Sequence, residues 1–113
     1  MKKIKLDDNR PVFQGDIMIT RVAAIPNGAT QKEDEIVAHS ETGHHHVAKR
    51  AKVFTGPDGM TLYMQAIGKT VDLVHMRPTD THETIRLYGN PGSVWKIQRQ
   101  REFTPQGLRR VED

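Results

Sequence analysis

His82-Glu83-Thr84-Ile85-Arg86-Leu87-Tyr88, then Gly89-Asn90-Pro91-Gly92, then Ser93-Val94-Trp95-Lys96-Ile97-Gln98-Arg99 is the stretch that decides the fold. Ile85 and Leu87 alternate with Thr84 and Arg86, the period of two expected of a half-buried strand. Gly-Asn-Pro-Gly breaks the run as a turn. Val94, Lys96 and Gln98 then alternate with Trp95, Ile97 and Arg99, a second strand.

The same texture extends in both directions. Asp16-Ile17-Met18-Ile19-Thr20-Arg21-Val22 is short and β-branched, bounded by Gly15 and by Pro26-Asn27-Gly28, and reads as a strand. So do Glu35–His39, His44–Arg50, Lys52–Phe54, Met60–Gln65 and Lys69–Met76. Gly56-Pro57-Asp58-Gly59 supplies a hairpin turn, and Gln31–Glu35 reads as a charged loop. Residues 1–10 are polar and mixed in charge, a loose arm or a weak edge strand. Thr104-Pro105 has the form of a helix start, with Thr as cap and Pro in the first position, and one short helical turn over Gln106–Val111 is expected from it. No amphipathic helix of ten or more residues is visible. The chain is therefore expected to be a single all-β domain over 1–113, a small barrel or sandwich with at most one short C-terminal helical turn.

Composition narrows the chemistry. A length of 113 residues suits one domain. Only 35% of residues are hydrophobic and six are Phe, Tyr or Trp, so the core is thin, or a second copy of the chain completes it in a homo-oligomer. Absence of cysteine excludes disulfides, thiolate metal sites and cysteine nucleophiles. Any metal must be held by His, Asp, Glu or backbone oxygen. No apolar run approaches the roughly 20 residues needed to cross a bilayer, and Met1–Asp8 turns acidic where a signal peptide needs its apolar stretch. The expectation is a soluble protein without membrane contact, cytoplasmic in a bacterial host or packaged in a particle. A net charge of +3 permits contact with nucleic acid without requiring it.

Six histidines carry the chemistry. Gly43-His44-His45-His46 follows a Thr-Gly turn signal, and His39, His75 and His82 lie at the ends of strand-like runs. Side chains two apart on a strand share a face, so His44 and His46 project together and His45 opposite. Phase works against that pair: if Val47 faces the core, His45 does too and His44 and His46 face out. His75 closes one strand and His82 opens the next, which returns both to one end of a barrel. His44, His46, His75 and His82 thus form a candidate metal site for Zn, Ni or Fe, with Glu41, Asp80 and Glu83 as nearby carboxylates. An open ligand position there gives metal-activated water chemistry. The sequence fixes no substrate and no enzyme class. The other readings are a solvated histidine turn or surface cluster, and a metal-free catalytic or pH-sensing cluster.

His-x-His on a strand, with later histidines on a neighbouring strand, resembles the metal-binding pattern of cupins. It departs from that pattern where cupins place a Glu and this chain has Lys49, Arg50 and Lys52, and where Pro91-Gly92 leads into Val94-Trp95-Lys96 rather than a histidine. A resemblance over most of the chain rests on Gly15-Asp16-Ile17, Thr42-Gly43-His44-His45-His46, Leu73-Val74-His75, His82-Glu83-Thr84-Ile85, Gln100-Arg101-Glu102-Phe103-Thr104-Pro105 and Val111-Glu112-Asp113. Together they are similar to a family of small phage, prophage and bacterial proteins with a Gly-His-x-His element and a closing Gln-Arg-Glu-aromatic-x-Pro segment. The resemblance implies that His44, His46, His75 and His82 are the family's histidines and that the protein is virion-associated or resident in the host cytoplasm. It departs in a longer loop between His75 and His82, and it implies no reaction.

Two other readings stand beside the metal site. One is a structural or assembly module of a particle, with exposed strands serving self-association. The other is a nucleic-acid-binding β module using Arg99, Arg101, Arg109 and Arg110, with Trp95 beside them for stacking. The plain reading of that basic run is a solvated strand face. No phosphate loop, dinucleotide fingerprint or Gly-x-Ser-x-Gly elbow is present. Asp16, Asp72 and Asp80 offer no evident paired-carboxylate motif.

Overall fold

The structure is a computed structural model and describes residues 1–39, 45–76, 81–99, 101–104 and 107–110, with the side chains of 39, 81, 82, 101–104 and 107–110 outside the description. The chain runs through β1 (Lys2–Ile4), β2 (Val12–Gln14), β3 (Ile17–Val22), β4 (Thr30–Gln31), β5 (Ile36–His39), β6 (His45–Lys49), β7 (Ala51–Thr55), β8 (Leu62–Ala66), β9 (Thr70–Met76), β10 (Thr81–Tyr88), β11 (Val94–Arg99), β12 (Arg101–Thr104) and β13 (Gly107–Arg110). The protein is all-β, and the described residues contain no helix. Among them no helix is long and apolar enough to cross a membrane.

Two sheets enclose one core. The first has strand order β1-β10-β9-β6-β5 and the second β2-β3-β11-β8-β7-β4. Period-two patterning explains the arrangement: Val71, Leu73, Ile85, Leu87 and Ala48 point inward from the first sheet, and Ile17, Ile19, Val53, Met64, Trp95 and Ile97 from the second, all within one cluster. Gly89–Gly92 joins β10 of one sheet to β11 of the other, so that turn is a corner between sheets rather than a hairpin. A second corner lies at Arg50, which leaves β6 and enters β7 with a left-handed φ of 65°. The β7–β8 hairpin closes on Asp58, whose Oδ1 accepts the Met60 and Thr61 amides and whose Oδ2 accepts the Thr61 hydroxyl. Those donors, the hydroxyl foremost, hold the Asp58 carboxyl down at about 2.

Of the two readings of residues 1–10, the edge strand holds, with β1 lying parallel to β10. Two expectations change. Thr30–Gln31 pairs with Thr55 and Phe54, so the charged loop begins one residue later than read. The helical turn expected over Gln106–Val111 is replaced by a hairpin: β12 and β13 are antiparallel, with Glu102 opposite Arg109 and Phe103 opposite Leu108. A six-residue helix forms too few hydrogen bonds to offset its nucleation, whereas two four-residue strands pair along their whole length.

Candidate functional site

The histidine-rich end is built by register. His46 on β6 lies opposite His75 on β9, and β9 in turn pairs with β10. Between Thr81↔Met76 and Thr84↔Val74 the register shifts, so His82 and Glu83 stand against the single residue His75. Two residues opposing one is a β-bulge, a device that re-aims side chains and is common beside functional sites. In the next row His39 faces His45, and His45 faces Met76. Five of the six histidines thus occupy two successive rows at one end of the first sheet. His44, Glu41 and Asp80 lie outside the described residues, as do the side chains of His39 and His82.

The strand phase turns His46 inward and leaves His45 on the other face. Ala48 is fully buried, so His46 points inward with it at 0% exposure, and His75 is 4% exposed. Val47 turns to the outer face, where its register partners are Val74 and Ile36. The His46 and His75 rings stack with centroids 4.2 Å apart and planes 15° from parallel. His45 is on the opposite face, half-buried.

Polar partners arrive from the second sheet. β2 and β3 form a tight hairpin in which Gln14 pairs with Ile17 and only Gly15 and Asp16 turn the chain. Gly15 has φ 56°, the left-handed value that suits glycine in a two-residue turn. That turn delivers Gln14 and Asp16, both almost fully buried, to the histidines. Gln14 Nε2 donates to the Leu73 carbonyl at 2.9 Å and to the Glu83 carbonyl at 3.0 Å. Its Oε1, 2.9 Å from His46 Nδ1, is therefore the acceptor, which assigns the proton to Nδ1. His46 Nε2 faces Asp16 Oδ1 at 3.7 Å, and Asp16 Oδ2 accepts a hydrogen bond from Arg99 Nη1. The β11–β3 register explains that contact, since Arg99 lies opposite Ile17, next to Asp16.

A cavity of about 470 Å³ reaches the site only through Ile17 and Arg99; Val37, Leu62 and Ile97 also line it, with Lys32 and Asp58 among its polar groups. Among the described residues, no three or more His, Asp or Glu side chains make up a metal cage by themselves.

Gln14 and Asp16 were not visible as site residues in the sequence, and Arg99 was read there only as part of a basic run for nucleic acid. Val12-Phe13-Gln14-Gly15-Asp16-Ile17 does carry a hairpin signature, and reading it as one places Gln14 opposite Ile17 on the inward face and Asp16 in the turn beside it. The basic β11 run also changes character. Trp95 is 4% exposed, with the Arg21 guanidinium 5.6 Å from its ring, so it offers no face for stacking a base. Arg99 is committed to Asp16.

Residues 13–100 match the family described as "Domain of unknown function (DUF8820)". No curated protein and no solved structure matches the chain.

Proposed function

Since the chain belongs to the DUF8820 family, which lends it no activity, we propose its function from the site alone: it binds a divalent transition metal, zinc, nickel or iron, at the histidine-rich end of the first sheet. The observation that supports this is the pair His46 Nε2 and Asp16 Oδ1, 3.7 Å apart and both buried. Two donors each about 2.1 Å from one ion stand about that far apart when they subtend roughly 120°. Each also has its outer partner in place. Metal-ligating histidines donate their other N–H to an acceptor, and ligating carboxylates are themselves hydrogen-bonded. Gln14 does the first for His46, and Arg99 does the second for Asp16.

The remaining ligands come from His82 and His44, and from His75 once its ring turns out of the stack on His46. The register puts His82 on the bulge against His75, and His44 is the residue before β6. An ion held by imidazole and one carboxylate, with one position open, polarises a bound water. That is the chemistry the site offers.

The test is elemental analysis of untagged protein after loading with Zn²⁺, Ni²⁺ or Fe²⁺. Stoichiometric metal is expected, lost in His44→Ala and His82→Ala and kept in His45→Ala, whose side chain lies on the other face. Circular dichroism confirms that each variant folds. Absence of metal above background in the unmutated protein, or retention in both His44→Ala and His82→Ala, refutes the reading.

A further inference from the structure

The outer face of the first sheet carries charge that the histidine site does not use. Pleating turns Leu73, Ile85 and Ala48 into the core, so their neighbours Asp72, Arg86 and Lys49 face out. Ile4 packs on the core, so Lys3 faces out with them. Backbone register then sets these four residues in one row across four adjacent strands: Lys3 opposite Arg86, Arg86 opposite Asp72, and Asp72 opposite Lys49. Arg50 joins from the corner, its Nη2 2.9 Å from Asp72 Oδ2.

Asp72 organises the row without neutralising it. Arg86 grips it with two hydrogen bonds of 2.8 and 2.9 Å. Those bonds, with the Arg50 contact, hold the Asp72 carboxyl below its ordinary value. Four cations around one carboxylate leave a net +3 on this face, equal to the charge of the whole chain. Lys3 and Lys49 are exposed, and half of the Arg50 side chain is open to solvent. Tyr88 lies one strand repeat from Arg86 on the same face, and its hydroxyl adds to the raised basicity of that arginine. The row spans three strand spacings, about 14 Å. Adjacent phosphates of an extended single strand lie roughly 6 Å apart, wider than the roughly 3.4 Å rise of a duplex strand, so about three phosphates cover it.

We propose that this face binds single-stranded nucleic acid, with Lys3, Arg86, Arg50 and Lys49 tracking the phosphates and Tyr88 offering its ring to a base. A cationic track beside an aromatic face is the arrangement by which sheets hold single strands without reading sequence. The position of Asp72 fits the same role. It ties both arginines to one carboxylate on the outer face, so less side-chain freedom is lost when phosphates bind.

The experiment is fluorescence anisotropy of a labelled oligothymidylate of about 12 nucleotides, a length within the site sizes of such sheets, titrated with untagged protein over a salt series. Binding in the micromolar range at low salt is expected, with a log–log salt slope of about −2 for three phosphates. Lys3→Glu/Lys49→Glu, which turns the row from net +3 to −1, weakens binding at least tenfold. Tyr88→Leu weakens it about fivefold or more. Lys52→Glu/Lys96→Glu makes the same charge change on the second sheet and leaves binding within about twofold. Circular dichroism verifies the fold of each variant. The proposal is overturned by absence of binding in the unmutated protein, by equal loss in the two double variants, or by full binding in Tyr88→Leu with polyglutamate competing as well as unlabelled oligonucleotide, which would make the partner an acidic protein.

Discussion

Gln14→Met tests whether the polar ties between the sheets are structural anchors. Methionine matches glutamine in length and volume, so packing is nearly preserved and the loss is polar. Three bonds go at once: two from Nε2 to the Leu73 and Glu83 carbonyls, and one from His46 Nδ1 to Oε1. Gln14 is 2% exposed, so water does not replace them freely. Each buried group left without its partner costs about 1–3 kcal/mol. The Glu83 carbonyl is only partly buried and recovers some solvation. The expected loss is about 3–5 kcal/mol, a large share of the roughly 5–15 kcal/mol typical of a domain.

Urea unfolding followed by Trp95 fluorescence and by circular dichroism measures this. Midpoint and slope separate lost stability from a change in the unfolded state. A loss below about 1 kcal/mol with an unchanged slope would refute the reasoning, because it would mean that the carbonyls and His46 find other partners at no cost.

Other consequences follow from the corners and the outer face. Gly89→Ala places a Cβ 2.8 Å from Ser93 Oγ and 3.0 Å from the Trp95 ring, and is expected to cost about 1–3 kcal/mol in the same assay. Arg50→Gly relieves a left-handed residue at about 1–2 kcal/mol while losing a half-exposed ion pair worth about 0–1 kcal/mol, so it is expected to be neutral or mildly stabilising. Arg50→Val keeps the strain, loses the pair, and is expected to destabilise clearly. Asp72 has a folded value below its unfolded value of about 3.9, so its stabilisation is complete above that pH and drains as pH falls through the folded value. Asp72→Asn therefore melts below the unmutated protein at about pH 7, and the gap between their Tm values closes as pH falls below about 4. A gap that stays constant with pH contradicts this.

Local pattern made the strands legible. The alternation in Thr84–Leu87 and Val94–Arg99 and the β-branched run Ile17–Val22 each correspond to a strand whose apolar residues enter the core. The sheet to which a strand belongs was not legible, because Gly89–Gly92 and Arg50 turn the chain equally well into a hairpin or across to the facing sheet. The inward phase of His45–Lys49 was not legible either. Hydrophobicity alone ranks Val47 above Ala48 for burial, yet Val47 is satisfied outside by Val74 and Ile36. What makes the opposite phase tolerable is an amide 32 residues away, and no window along β6 contains it.

The bulge, the glutamine and the buried histidine behave as one device. Inserting His82 and Glu83 against His75 breaks the ladder and leaves a backbone carbonyl to be satisfied. Gln14 takes that carbonyl with one N–H, ties β9 with the other, and fixes the His46 proton with its oxygen. Removing the bulge would free Gln14 from Glu83, and removing Gln14 would leave both the bulge and His46 unsupported. An apolar core at this end would be cheaper, since buried polar groups return little net stability even when fully bonded. Four buried polar side chains, Gln14, Asp16, His46 and His75, gathered in the core behind a bulge that carries a histidine are therefore better explained by what they hold in place than by what they add to folding. They set His46 Nε2 and Asp16 Oδ1 facing each other, at the end of the sheet where the register collects the histidines.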